Sequence, residues 1–366
     1  MPKKAEFTEG KKAAMVTRRQ FVQQVAGIGA LGGMTAALSG CAPLDSVKPQ
    51  AIQPSDLESE SRIEAGRARI AFIETTDRAD GVRRAMALLG PTAWAGKSVL
   101  IKPNFNSADP APGSTHMDVL RTVVAALQDA GSGEITIADR SGMGNTRSVM
   151  KRIGIEQAAE EMNCRLIALD ELAVDDWETI EVEGGHWKQG FPFPRTVREA
   201  DSVVQLCCLK THRYGGHFTL SLKNSVGLVA KFVPGDSYNY MNELHRSPLQ
   251  RTLIAEINAA YAPDLVIMDG VEAFVRGGPA NGDRVASNVM LAGTDRVALD
   301  AVGVALLRHF GTTDEVSQGA IFEQEQIARA VELGLGIAGP EQIELVTDDA
   351  ESQVYATDIQ AVLRQG

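Results

Sequence analysis

Leu206–Leu228 reads LCCLKTHRYGGHFTLSLKNSVGL, and its order decides how the rest of the chain is read. An apolar run from Ser202 to Leu209 predicts a strand, which gives way to Lys210, Thr211, His212 and Arg213. The pair Gly215-Gly216 and His217 follow, and then a second apolar segment delivers Lys223 and Asn224. A near-continuous apolar run marks a strand buried on both faces. In open α/β sheets, ligands bind at the carboxyl ends of such strands. The polar cluster therefore predicts the place where chemistry is done.

Outward from this stretch the pattern alternates. Arg69–Ile73, Ser98–Pro103, Glu134–Asp139 and Arg165–Leu169 read as strands. Helical spacing covers Gly81–Leu89, Asp118–Ala130 and the segment from Asn145 to about Met162. Residues 173–194 read as irregular or hairpin-like. Downstream, Leu265–Met268, Asn288–Ala292 and Ile343–Val346 are expected strands; Ser247–Tyr261, Arg296–His309 and Gln324–Leu333 are expected helices. Such alternation predicts an α/β fold: a mostly parallel, Rossmann-like, doubly wound sheet with helices on both faces, in one body or two lobes.

The 366 residues carry a net charge of −11 and only 5% aromatics. Neither a basic face nor a base-stacking platform is expected, which argues against nucleic acid as a partner. The amino terminus is different in kind. Lys3, Lys4, Lys11, Lys12, Arg18 and Arg19 precede a Gly/Ala-rich apolar run from Val25 to Leu38. Thr17–Val22 (TRRQFV) resembles a twin-arginine signal, and Leu38-Ser39-Gly40-Cys41 resembles a lipoprotein lipobox. The expected organisation is a signal at 1–41, a flexible linker at 42–66, an α/β domain at 67–350 and a carboxyl-terminal tail at 351–366. On this reading the twin-arginine export machinery is a partner and lipid on Cys41 is the membrane anchor. The location is then the cell envelope, facing the periplasm or exterior.

Four strand ends carry polar residues: Lys102-Pro103-Asn104, Asp139-Arg140-Ser141, Lys210-Thr211-His212 and Asp269. Strand ends of a doubly wound sheet converge, so these predict one cleft. Lys102, Lys210 and Lys223 suit a carboxylate or phosphate, with Asn104, Asn224 and Asp139 beside them. The helical stretch after Asn224 offers backbone amides to an anion. His212, Lys210 and Asp269 are the candidate catalytic groups. His212 and His217, with His245 and Asp269 further on, also offer imidazole and carboxylate donors to a divalent metal, a role weighed against acid–base chemistry. Asp300, set among apolar neighbours, is expected to pair with a cation or to face the cleft. Cys207 and Cys208 point to opposite faces of a strand and read as packing. The loop Ser141–Thr146 reads as a capped turn, because Arg147 stands where GxGxxG needs glycine.

The ordered series resembles a known family. Val99–Asn104 (VLIKPN), Ala200-Asp201, Leu209–His212 (LKTH), Ser221–Asn224 (SLKN), Pro263–Gly270 (PDLVIMDG) and Ala292–Ala301 (AGTDRVALDA) are similar to the family called domain of unknown function 362. The resemblance covers about residues 69 to 310. It implies the architecture and the choice of residues, and it implies no reaction. The expected activity is that of an exported enzyme acting on a small anionic substrate. The alternative is a lipid-tethered protein that binds such an anion without turning it over.

Overall fold

The computed structural model describes residues 66–90 and 92–365. The signal, Cys41 and nearly all of the linker lie outside the described residues. Strands β1 (Ala68–Glu74), β2 (Val99–Lys102), β3 (Ile135–Asp139) and β4 (Arg165–Ala168) are followed by a small hairpin, β5 (Trp177–Ile180) and β6 (Phe191–Pro194). Next come β7 (Ser202–His212), β8 (His217–Thr219), β9 (Leu265–Gly277), β10 (Gly282–Gly293) and β11 (Ile343–Val346). The helices are α1 (Arg78–Leu89), α2 (Met117–Asp129), α3 (Thr146–Arg152), α4 (Ile155–Glu161), α5 (Arg195–Arg198) and α6 (Ser221–Asn224). They continue with α7 (Tyr240–Arg246), α8 (Gln250–Ile257), α9 (Arg296–His309), α10 (Asp314–Ser317), α11 (Glu325–Glu332) and α12 (Ala350–Gln365).

The main sheet has the order β11-β1-β10-β9-β7-β2-β3-β4, with β8 paired to β7 off this path. Among these strands only β10 runs against its neighbours on the path. The sheet is therefore mostly parallel, as expected. Strand alternation assigns side chains to its two faces. Ile70, Phe72, Cys207, Leu209, Val266 and Met268 pack under α9, α11 and α12. Ala71, Ile73, Val204, Leu206 and Ile267 pack against α1, α2, α3 and α4. A third core joins the β5–β6 hairpin to α7 and α8. All described residues belong to one compact unit.

Two strands are longer than their apolar runs. Every residue of β7 is buried, including Lys210, Thr211 and His212. These polar residues stay in the ladder because β8 and β9 flank them: Lys210 pairs with Thr219 and His212 with His217, and Lys210 also pairs with Phe274. Likewise β9 runs through Asp269 to Gly277, because β10 folds back on it as a hairpin and pairs Met290 with Asp269. The Gly277–Gly282 loop is the turn of that hairpin. The expected tail at 351–366 is helical as far as Gln365, within α12. Its Ile359 and Leu363 are buried, and Tyr355 meets Phe72 edge-on with ring centroids 5.1 Å apart.

Candidate functional site

A cavity of about 420 Å³ opens at the carboxyl ends of β2, β3 and β7, against α6 and α7. Its size is that of a small-molecule cleft. Lys102, Asn104, Asp139, Lys210, His212, Lys223 and Asn224 all line it. Seven of the expected site residues, drawn from four separate segments, thus meet in one place.

They are not equivalent. Lys102 is buried and its Nζ lies 2.8 Å from Asp139 Oδ1, donating also to the carbonyl of Pro103 at 2.6 Å and to Asn224 Oδ1 at 3.2 Å. Asn224 donates its own Nδ2 to the carbonyl of Leu206 at 3.0 Å, which fixes that amide's orientation. Burial pushes the Lys102 ammonium down and the Asp139 carboxyl up, and each is drawn back by the other. Asp139 also accepts the backbone N–H groups of Phe105 at 2.6 Å and Arg140 at 2.7 Å, so the ionised pair is the form this geometry holds. Lys102 and Asp139 therefore neutralise one another in the floor of the cavity.

Lys210 and Lys223 have no such carboxylate. Lys210 Nζ donates to the carbonyl of Gly113 at 2.5 Å, and burial lowers its pKa. Lys223 is a buried residue, and among the described residues no hydrogen bond or ion pair reaches its ammonium. Burial first, then the charges of Lys210 and Arg140, bring it down to about 7. His212 is held well below its ordinary value by burial and by Lys223 and Lys210, so its imidazole is neutral. Its Nδ1 is buried without a partner.

Lys223 is placed by α6, a helix of four residues, too short to hold itself. Asp300 on α9 supports it by accepting the N–H groups of Ser221 at 2.7 Å and Leu222 at 3.1 Å. This corrects one expectation: Asp300 neither pairs with a cation nor lines the cavity, and instead holds the start of α6. Arg140 donates to the carbonyls of Val226 at 2.6 Å and Val229 at 2.7 Å, closing the chain after α6 onto the end of β3.

Two expected site residues lie elsewhere. Asp269 is in mid-strand, where its Oδ2 accepts from Arg78 Nε at 2.7 Å and its Oδ1 accepts from the Val271 N–H at 3.1 Å. It is an internal ion pair and does not line the cavity. His217 faces His212 across the β7–β8 ladder, but its backbone is left-handed (φ 57°) and its ring does not line the cavity. Among the described residues no group of three or more His, Cys, Asp or Glu side chains is placed to hold a metal ion. The expected pair His212 and His217 therefore has no third donor, and Lys210 and Lys223 beside His212 repel a cation.

Other cavity residues were not picked out by sequence as substrate contacts. Asn106, two positions beyond Asn104, presents a buried Nδ2 with no partner, as Asn104 does. Thr219 on β8 likewise has an unpartnered hydroxyl. His245, considered only as a metal donor, lines the cavity from α7. Its Nδ1 is 2.7 Å from the carbonyl of Met241, so Nδ1 carries the proton and Nε2 is the bare acceptor. Spacing from Asn104 was the one sequence signal available for Asn106; nothing local marked Thr219.

Comparison with known proteins places these residues in a family. A thylakoid-associated protein of Synechocystis sp. is 28% identical over 275 residues, covering 71% of this chain and 78% of that protein. The solved lactate racemase apoprotein of Thermoanaerobacterium thermosaccharolyticum aligns with a TM-score of 0.39 at 19% identity, over 68% of this chain and 59% of that one. At that score the likeness says nothing about the cavity. The family model described as Domain of unknown function (DUF362) matches residues 99–305, a span that contains Lys102, Asp139, Lys210, His212, Lys223 and His245. With more than half of its length matched, the chain belongs to the DUF362 family.

Proposed function

We propose that this protein is an enzyme of the cell envelope that binds a small anion in the β2–β3–β7 cavity and carries out acid–base chemistry on it. One observation carries the reading: Lys223 is a buried residue of the cavity wall, its ammonium has no hydrogen-bond or ion-pair partner among the described residues, and it is set within electrostatic reach of Lys210 and Arg140. A largely desolvated lone cation beside like charges costs folding free energy. An anion bound between Lys210 and Lys223 offsets that cost. The unpartnered amides of Asn104 and Asn106 supply donors for the same ligand.

The neutral His212 stands beside those lysines as the group that accepts or returns a proton. His245 lines the same cavity from α7, and its bare Nε2 is suited to accepting a proton. Lys102, Asp139 and Asn224 fix the floor and touch the ligand only at its edge. The twin-arginine pattern supports export, and the Leu38–Cys41 motif supports a lipid anchor at Cys41.

Titration of the purified protein with acetate and with inorganic phosphate tests the anion site. Lys223→Met is expected to lose the binding seen in the parent; equal affinity in both would sink the reading. His212→Ala is expected to keep anion affinity within about threefold while turnover of any co-purifying anion, identified by mass spectrometry, is lost. A tethered binding protein needs the lysines but not His212, so unchanged behaviour of His212→Ala would favour that alternative. Cys41→Ser is expected to release the protein from membranes, and continued retention would count against the anchor.

A further inference from the structure

The cavity has two lysines without a carboxylate partner, Lys210 and Lys223, in its wall and an apolar mouth. Met143, Tyr214 and Phe232 line it and are 49%, 52% and 51% exposed. They are three of the six large hydrophobic side chains that stand exposed among the described residues. A single exposed Met or Phe needs no explanation. These three come from separate segments, the β3–α3 loop, the β7–β8 turn and the stretch before α7, yet they ring one opening.

Their positions are held by polar contacts behind them. Lys231 donates to the carbonyl of Gly144 at 3.1 Å and to Asp170 Oδ2 at 3.2 Å, tying the segment that carries Phe232 to the loop that carries Met143. Arg140 reaches Met241 Sδ at 3.1 Å and sets that side chain into the same wall. Tyr214 stands edge-on to the His212 ring with centroids 5.7 Å apart. Arg213 lies over Tyr214 and donates to Asn281 across the turn at 3.1 Å. The cavity, about 420 Å³, is also far larger than a carboxylate requires, since one water occupies about 30 Å³ of liquid.

We propose, resting on the reading of the cavity as an anion site, that its ligand is amphipathic. A carboxylate or phosphate sits between Lys210 and Lys223, and an apolar body lies outward against Met143, Tyr214, Phe232 and Met241. The head determines binding at Lys210 and Lys223; the body determines which anion is chosen, because apolar burial scales with area.

The test is calorimetric titration of the intact protein with straight-chain carboxylates from acetate to octanoate and with the matching alkyl phosphates. Affinity is expected to rise about twofold per methylene for a half-buried chain, and comparison of the two series identifies the head. In the double variant Met143→Ser/Phe232→Ser the gain from acetate to octanoate is expected to fall below about threefold, with acetate affinity unchanged. Circular dichroism and Tm check that this variant is folded, as expected for two exposed positions. If the parent binds acetate and octanoate equally, or if the double variant keeps the full gain, the amphipathic ligand is overturned while the anion site stands. If the parent binds none of these anions, the anion site falls and the inference with it.

Discussion

Lys223 changes charge near neutrality, and the direction of that change makes a specific prediction. Below about 7 it is protonated in both the folded and the unfolded chain, and the cost of burying the charge is complete. Between about 7 and its ordinary 10.5 only the unfolded chain keeps the proton, so this group makes stability rise with pH. Asp300 slopes the other way: burial raises it from 3.8 to about 7, so its contribution to stability declines as pH rises through that window. A bound anion favours the charged Lys223, so anion affinity is expected to fall by up to about tenfold per pH unit above 7. Calorimetry across pH 6 to 9 checks this, and a flat profile would remove Lys223 from the binding group. Lys223→Met is expected to raise stability at pH 7 by removing a largely desolvated charge that no carboxylate neutralises. Urea denaturation measures it, and a loss of stability would contradict the account. Gly216 sits against the same residues: a Cβ there would lie 2.5 Å from Lys223 Cε and 3.0 Å from His212 Nδ1. Gly216→Ala is expected to weaken anion binding about tenfold by displacing Lys223, with little change in Tm because that side chain is flexible.

At the scale of elements, the ends of β2 and β3 are joined by the Lys102–Asp139 pair, and the chain after α6 covers it closely. A Cβ on Gly227 would stand 2.5 Å from Asp139 Oδ1 and 2.9 Å from Lys102 Nζ. Because the pair is buried, removing one partner strands the other. Asp139→Asn is expected to destabilise by about 3–5 kcal/mol, seen as a shifted denaturation midpoint; an unshifted midpoint would mean the pair is not ionised. Support for α6 comes from α9 through Asp300, so Asp300→Ala is expected to lower both stability and anion affinity although Asp300 touches no ligand. Loss of stability with unchanged affinity would show that α6 holds Lys223 without it.

At the scale of the molecule, α12 packs against β1 on the face of the sheet that α9 covers. Ser352 Oγ accepts the Glu74 N–H at 2.9 Å, and Ala356, Ile359 and Leu363 lie in the core beneath α9. Deleting residues 350–366 bares Phe72 and its neighbours. The shortened chain is expected to aggregate or to lose 10 °C or more in Tm, on the order of a few kcal/mol of lost burial. Unchanged melting would mean that α12 is an appendage.

Strand periodicity, helix spacing and the placing of Lys102, Asn104, Asp139, Lys210, His212, Lys223 and Asn224 near one edge were all legible in the sequence. Each depends on local alternation, and the ends of parallel strands converge without further instruction. The roles of those residues were not legible. Asp269 read like a strand end, but β10 pairs beside it and Arg78 neutralises it inside the sheet. His217 read like a partner of His212, but a left-handed backbone at that position and the ladder between them keep it out of the cavity. Lys102 and Lys223 look alike in the chain; only the approach of Asp139 to one of them leaves the other without a counter-charge. Charge pairing, orientation and the meeting of Met143, Tyr214 and Phe232 at one mouth depend on contacts between residues far apart in sequence, and those distances are set by tertiary packing alone.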